Sequence, residues 1–154
     1  MKRALVVVLT MATSVAVAVP AASGATAKPP LKATSNGWYV FDGQPPTGQV
    51  PKNGTNHRCV NDPSTPPVNG LAARFSIKNR SAPKSRKYIL NGPGGIHLQQ
   101  GATSSLKPGS YYRRFNASST GASSFPPGKY TFKLKVGSKV LTSQTITLVD
   151  DPNC

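Results

Sequence analysis

The feature that most constrains this chain is the run FPPGKYTFKLKVGSKVLTSQTITLV from Phe125 to Val149. Pro126-Pro127-Gly128 turns the chain, and apolar and polar residues then alternate with the period of two that a half-buried β-strand requires. Tyr130, Phe132, Leu134 and Val136 fall on one face, and Lys129, Thr131, Lys133 and Lys135 on the other. Gly137-Ser138 is a two-residue turn of the Gly-X type, after which a second strand returns through Val149. A hairpin that is apolar on one side and cationic on the other predicts half of a two-layer β domain.

The start of the chain bears on its destination. Lys2-Arg3 precede an almost uninterrupted run of small and apolar residues from Ala4 to Val19, and Ala25-Thr26-Ala27 offers a small-x-small cleavage pattern. This predicts a signal peptide over 1–27, export by the general route, and a mature chain from Lys28 to Cys154 with no transmembrane anchor left after cleavage. Such a chain has room for one domain with a modest core. The whole sequence has a formal charge of +15, and four aspartates are its only acidic residues. Without Lys2 and Arg3 the balance is +13. A surface of this kind attracts polyanions such as envelope polymers, anionic head groups or nucleic acid. The absence of Glu, with 14 Gly and 15 Pro, argues against helix.

Cys59 and Cys154 are the only cysteines, and an even pair in an exported chain reads as one disulfide. It would close a long loop and contribute on the order of 4–5 kcal/mol by restricting the unfolded chain.

Residues 28–56, rich in Pro, Gly, Asn, Thr and Ser, read as an extended arm ahead of a sandwich domain spanning 57–154. The arm carries one island, Trp38, Tyr39, Val40 and Phe41, with the only Trp of the chain. Aromatic residues must be buried somewhere. Either they form a first strand along the sandwich edge, or they dock into an extracellular protein partner. From residue 70 on, short runs alternate with Gly/Pro turns: Ala73 to Ile77, Tyr88 to Leu90, Ile96 to Leu98, Tyr111 to Phe115 and the final hairpin. That spacing predicts an all-β sandwich of about seven short strands.

Leu106-x-Pro108-Gly109 before one strand, and Pro127-Gly128-x-Tyr130 before the last hairpin, resemble bacterial immunoglobulin-like and fibronectin-like domains. The resemblance implies an immunoglobulin-like β-sandwich in which Tyr130 makes a corner contact back to the preceding turn. Neither cysteine nor Trp38 stands where antibody domains have theirs, so no inter-sheet disulfide is implied. In size, leader and layout the chain is also similar to small exported adaptor subunits, such as those of umbrella toxin particles. That similarity implies a protein partner.

Catalytic groupings are scarce. The four aspartates, Asp42, Asp62, Asp150 and Asp151, are too dispersed for a hydrolytic carboxylate pair. His97 is out of phase with Ile96 and Leu98 and reads as a surface residue, not a triad base. His57, Cys59, His97 and Cys154 lack zinc-site spacing, and Gly92-Pro93-Gly94-Gly95 lacks the Lys-Ser/Thr of a phosphate loop. No catalytic residue, metal or cofactor is therefore predicted.

The cations remain. Lys129, Lys133 and Lys135 share a strand face, and Lys78, Arg80, Lys84, Arg86 and Lys87, with Arg113 and Arg114, would extend it. This face either binds an anionic cell-wall polymer or is an ordinary solvated sheet surface. Nucleic acid is disfavoured by export and by the few aromatics among the cations. The sequence reading is thus a secreted, non-catalytic binding or adaptor module, with a cationic envelope-binding module as the alternative.

Overall fold

A computed structural model describes residues 28–42, 57–59 (backbone only) and 67–150. Among these residues lie eight strands: β1 Lys32–Asp42, β2 His57–Cys59, β3 Val68–Lys78, β4 Arg86–Asn91, β5 His97–Gly101, β6 Gly109–Asn116, β7 Gly128–Val136 and β8 Lys139–Val149. They form two sheets, ordered β1-β3-β6 and β2-β8-β7-β4-β5. Every pairing is antiparallel except that of β2, which lies parallel to β8 with Cys59 opposite Val149.

The connections from β3 to β4, β5 to β6 and β6 to β7 each cross from one sheet to the other. With β1, β3 and β6 as strands A, B and E, and β5, β4, β7 and β8 as C′, C, F and G, this is immunoglobulin-like connectivity. Among the described residues, helix is confined to two short 3-10 turns, Pro93–Gly95 and Ala117–Thr120. No helix there is long and apolar enough to cross a membrane.

The alternation of the final hairpin takes the expected sense. Tyr130, Phe132 and Leu134 are buried and face the other sheet, while Lys129 is exposed and Lys133 and Lys135 are half-buried. Gly137 takes φ +58°, the positive angle a two-residue turn needs at its first position. Phe132 is the centre of the core. Its ring meets Trp38 at 6.3 Å, Phe75 at 5.8 Å and Phe115 at 6.2 Å between centroids.

Both Pro-Gly turns build the same corner. Tyr130 Oη donates to the Pro126 carbonyl at 2.7 Å, as the resemblance implied. Tyr111 Oη donates to the Lys107 carbonyl at 2.9 Å. In each case the acceptor precedes a Pro-Gly-x-Tyr run, so the turn is tied to the strand it launches.

One expectation needs correction. Residues 28–42 do not form a separate arm, because Lys32–Asp42 is an edge strand paired along its length with β3. Trp38 is 0% exposed, and Val40 and Phe41 are also buried. Trp38 and Val40 stand opposite Ala73 and Leu71 on the inner face, so their apolar surface is spent on the chain's own core. They are not free to dock elsewhere. The Pro- and Gly-rich sequence on either side made the island look detached, but backbone pairing with β3 on both sides of a bulge between Ser35 and Trp38 holds it. The expected leader over 1–27, the segment 43–56 and Cys154 lie outside the described residues.

Candidate polyanion-binding site

Alternation on β7 places Lys129, Lys133 and Lys135 on the outer face of the five-stranded sheet. Register then sets their neighbours. Lys135 is directly opposite Lys87 of β4, Lys133 lies between Ile89 and Ser143, and Lys129 lies opposite Thr147. Ile89 is only 9% exposed although it points outward. Its cross-strand neighbours are Lys133 and Gln99, long side chains whose stems can cover apolar surface.

The strand directions sort charge along the sandwich. β1 and β8 begin, and β3 and β7 finish, at one end; the β3–β4 and β5–β6 loops and the β7–β8 turn lie there too. That end holds a second cross-strand lysine pair, Lys32 opposite Lys78, in the three-stranded sheet. Arg80, Lys84, Lys107 and Lys139 stand around it, all exposed. No described residue there is acidic. Asp42 and Asp150 lie at the other end, where β1 and β8 finish. Directly opposed like charges destabilise a sheet by roughly 0.2–1 kcal/mol per pair. Two such pairs at one end, with no carboxylate among them, make a surface whose repulsion a bound polyanion would relieve.

Of the predicted cations, Lys78, Arg80, Lys84, Lys87 and Lys135 converge on this end. Lys133 is mid-face and Lys129 is at the far end. The two arginines of β6 do not extend the patch. Arg114 lies on the outer face of the other sheet, its guanidinium 4.4 Å from the Phe41 ring centroid. Gly70 permits this, since a Cβ there would come within 3.0 Å of Arg114 Nε and 3.2 Å of Phe41 Cβ. Arg113 stands on the inward row of β6 with Tyr111 and Phe115.

Arg86 is a further correction. It is 3% exposed, not a surface cation. It shares phase with Tyr88 and Leu90, whose side chains point into the core. Its Nε donates to Tyr88 Oη at 2.6 Å, and Nη1 donates to the carbonyls of Ser104 at 2.5 Å, Pro83 at 2.8 Å and Ala82 at 3.5 Å. These bonds staple the β3–β4 loop to the β5–β6 loop, beside a backbone bridge between Ala82 and Leu106. The alternation Arg-x-Tyr-x-Leu over residues 86–90 carried the signal, but the surrounding run of cations masked it. Lys32, Lys107 and Lys139 were missed for a different reason. Each sits singly in sequence, and only the topology gathers them.

No protein-family model matches the sequence, and neither does any curated protein. Among solved structures, the chain is similar to the crystal structure of an immunoglobulin-like protein from Pseudomonas aeruginosa. Identity is 9% and the TM-score 0.48, with 80% of this chain and 99% of that one covered.

His97 is exposed, and its Nδ1 lies 2.7 Å from Asn91 Oδ1, an amide oxygen that can only accept. The two side chains stand at paired positions of β5 and β4.

Proposed function

We propose that this chain is an exported, non-catalytic binding module that grips anionic polymers of the cell envelope through the basic end of its sandwich. The observation that carries the reading is the pair of cross-strand lysine couples, Lys32–Lys78 and Lys87–Lys135, one in each sheet at the same end. Loop cations surround them, and the described acids are at the opposite end. A solvated sheet face kept soluble by charge would not require its cations to gather at one end while the described acids lie at the other. The burial of Trp38, Val40 and Phe41 supports this reading over one in which those side chains insert into a protein partner.

Co-sedimentation with insoluble cell-wall material tests the reading. Retention should fall steeply as salt rises toward about 1 M, where the screening length shrinks to about 3 Å. A Lys84→Ala/Lys139→Ala variant should bind several-fold more weakly at low salt with an unchanged melting temperature. Retention that ignores both salt and the substitutions defeats it.

A protein partner remains as a second reading, favoured by the outer face of the three-stranded sheet. There Tyr112 is 50% exposed beside Arg74 and Arg114, and tyrosine and arginine are enriched at interfaces. Affinity capture from culture medium separates the two. A stoichiometric protein that survives high salt and is lost in Tyr112→Ser would favour the adaptor.

A further inference from the structure

A cleft of about 210 Å³ opens between the two sheets where edge strands β5 and β6 face one another, walled by Phe75, Tyr88, Tyr111, Leu106 and the Gly101–Ser104 segment. Two guanidinium groups converge on it. Arg86 lies 5.6 Å and Arg113 4.9 Å from the centroid of the same ring, Tyr88. Arg113 Nε is held by the side-chain oxygen of Gln100. All the acceptors of both groups are neutral: a phenol, an amide and three backbone carbonyls. Arg86 Nη2 donates to no described residue.

Burying a charge without an ion partner is costly, and two like charges sharing one aromatic ring compound the cost. No described carboxylate is near enough to offset it. Arg86 pairs with Val136 at one end of β7, whereas Asp150 follows a strand that meets Gly128 at the other end. The nine-residue length of β7 separates those ends, on the order of 26 Å. Guanidinium forks recognise planar or tetrahedral oxyanions through paired donors, and a low-dielectric wall strengthens the contact.

We infer that this cleft is a binding site for a single oxyanion, a phosphate or carboxylate group, held between Arg86 and Arg113 with Tyr111 as its apolar wall. The site is too small for a polymer backbone, and it does not require the basic end to bind polymer. It goes beyond that reading by specifying one buried, directional anion position where the lysines offer only diffuse attraction.

The test is a titration of the ¹⁵N-labelled chain, as recovered from an expressing host, with inorganic phosphate and, separately, with acetate at constant ionic strength. The Nε–H signals of Arg86 and Arg113 are expected to shift saturably with at least one anion, and the stronger of the two names the group. Arg113→Gln should weaken that binding at least tenfold. Lys84→Ala/Lys139→Ala should leave it within twofold, so loss of polymer binding and loss of this site are read separately. Should Arg113→Gln fail to fold, Thr103→Asp places a carboxylate on the exposed lip of the cleft and should abolish the response. Shifts that do not saturate, that are as large at Arg80 as at Arg86, or that survive Arg113→Gln or Thr103→Asp overturn the inference.

Discussion

Replacing Trp38 separates a core strand from a tethered docking segment. The indole is 0% exposed, meets Phe132 edge-on, and stands over Ala73, whose small side chain leaves it room. Trp38→Ala removes the largest buried side chain of the domain, and Phe or Trp to Ala in a core costs about 3–5 kcal/mol. For a domain between the size classes with known slopes, each kcal/mol shifts the melting temperature by about 4 °C, so about 4 kcal/mol lowers it by roughly 15 °C. Trp38→Phe should cost much less. It leaves a smaller cavity, and it also removes a buried indole N–H that has no hydrogen-bond partner among the described residues, a defect worth about 1–3 kcal/mol. The expected order is therefore wild type, then Phe a few degrees below, then Ala far below. Far-UV circular dichroism under heat or urea is the assay, because the substitution removes the only Trp of the chain. In the wild type that same Trp should emit in the blue and resist iodide quenching. A Trp38→Ala protein melting within about 2 °C of wild type would refute the assignment of β1 to the core.

Two more outcomes are expected. Burial pushes the Tyr130 phenol well above its ordinary value near 10, so the unfolded chain loses that proton first. Stability contributed by Tyr130 is full below about pH 10 and declines as pH rises toward the raised native value. Tyr130→Phe should cost about 1 kcal/mol at neutral pH through the lost bond to Pro126, and should flatten the alkaline decline seen in urea titrations. For the cysteines, β2 places Cys59 opposite Val149, five residues before Cys154. A Cys59–Cys154 bridge would fasten β2 to the end of β8. Intact mass under non-reducing conditions should be two hydrogens lighter than the reduced chain, and Cys59→Ser should lower the melting temperature by several degrees; two free thiols would rule the bridge out.

What could be read directly were features set by local periodicity. Alternation over residues 129–136 specified which face of β7 is buried, since side chains on a strand point alternately to opposite sides whatever the rest of the chain does. The Tyr130 corner was implied by the resemblance of its Pro-Gly-x-Tyr run to immunoglobulin-like domains, and the contact itself is local, with donor and acceptor only four residues apart. The Tyr111 corner obeys the same rule and was equally legible. Arg86 was too, had its phase with Tyr88 and Leu90 been followed through the cationic run.

Other properties depended on partners far away in sequence. Trp38 is core because β1 pairs with β3 and meets β7 across the sandwich, contacts that no local pattern encodes. The sequence by itself determined that the chain is a basic, all-β domain with one apolar sheet face, because composition and period are local properties. Only the tertiary structure decided where the charge is concentrated. Strand direction brings Lys32, Lys78, Lys87, Lys107, Lys135 and Lys139 to one end and takes Asp42 and Asp150 to the other. Crossing between sheets also sets Arg86 and Arg113, from β4 and β6, over a single ring. Both arrangements are products of long-range register, and register is a property of the packed sheets rather than of any one strand.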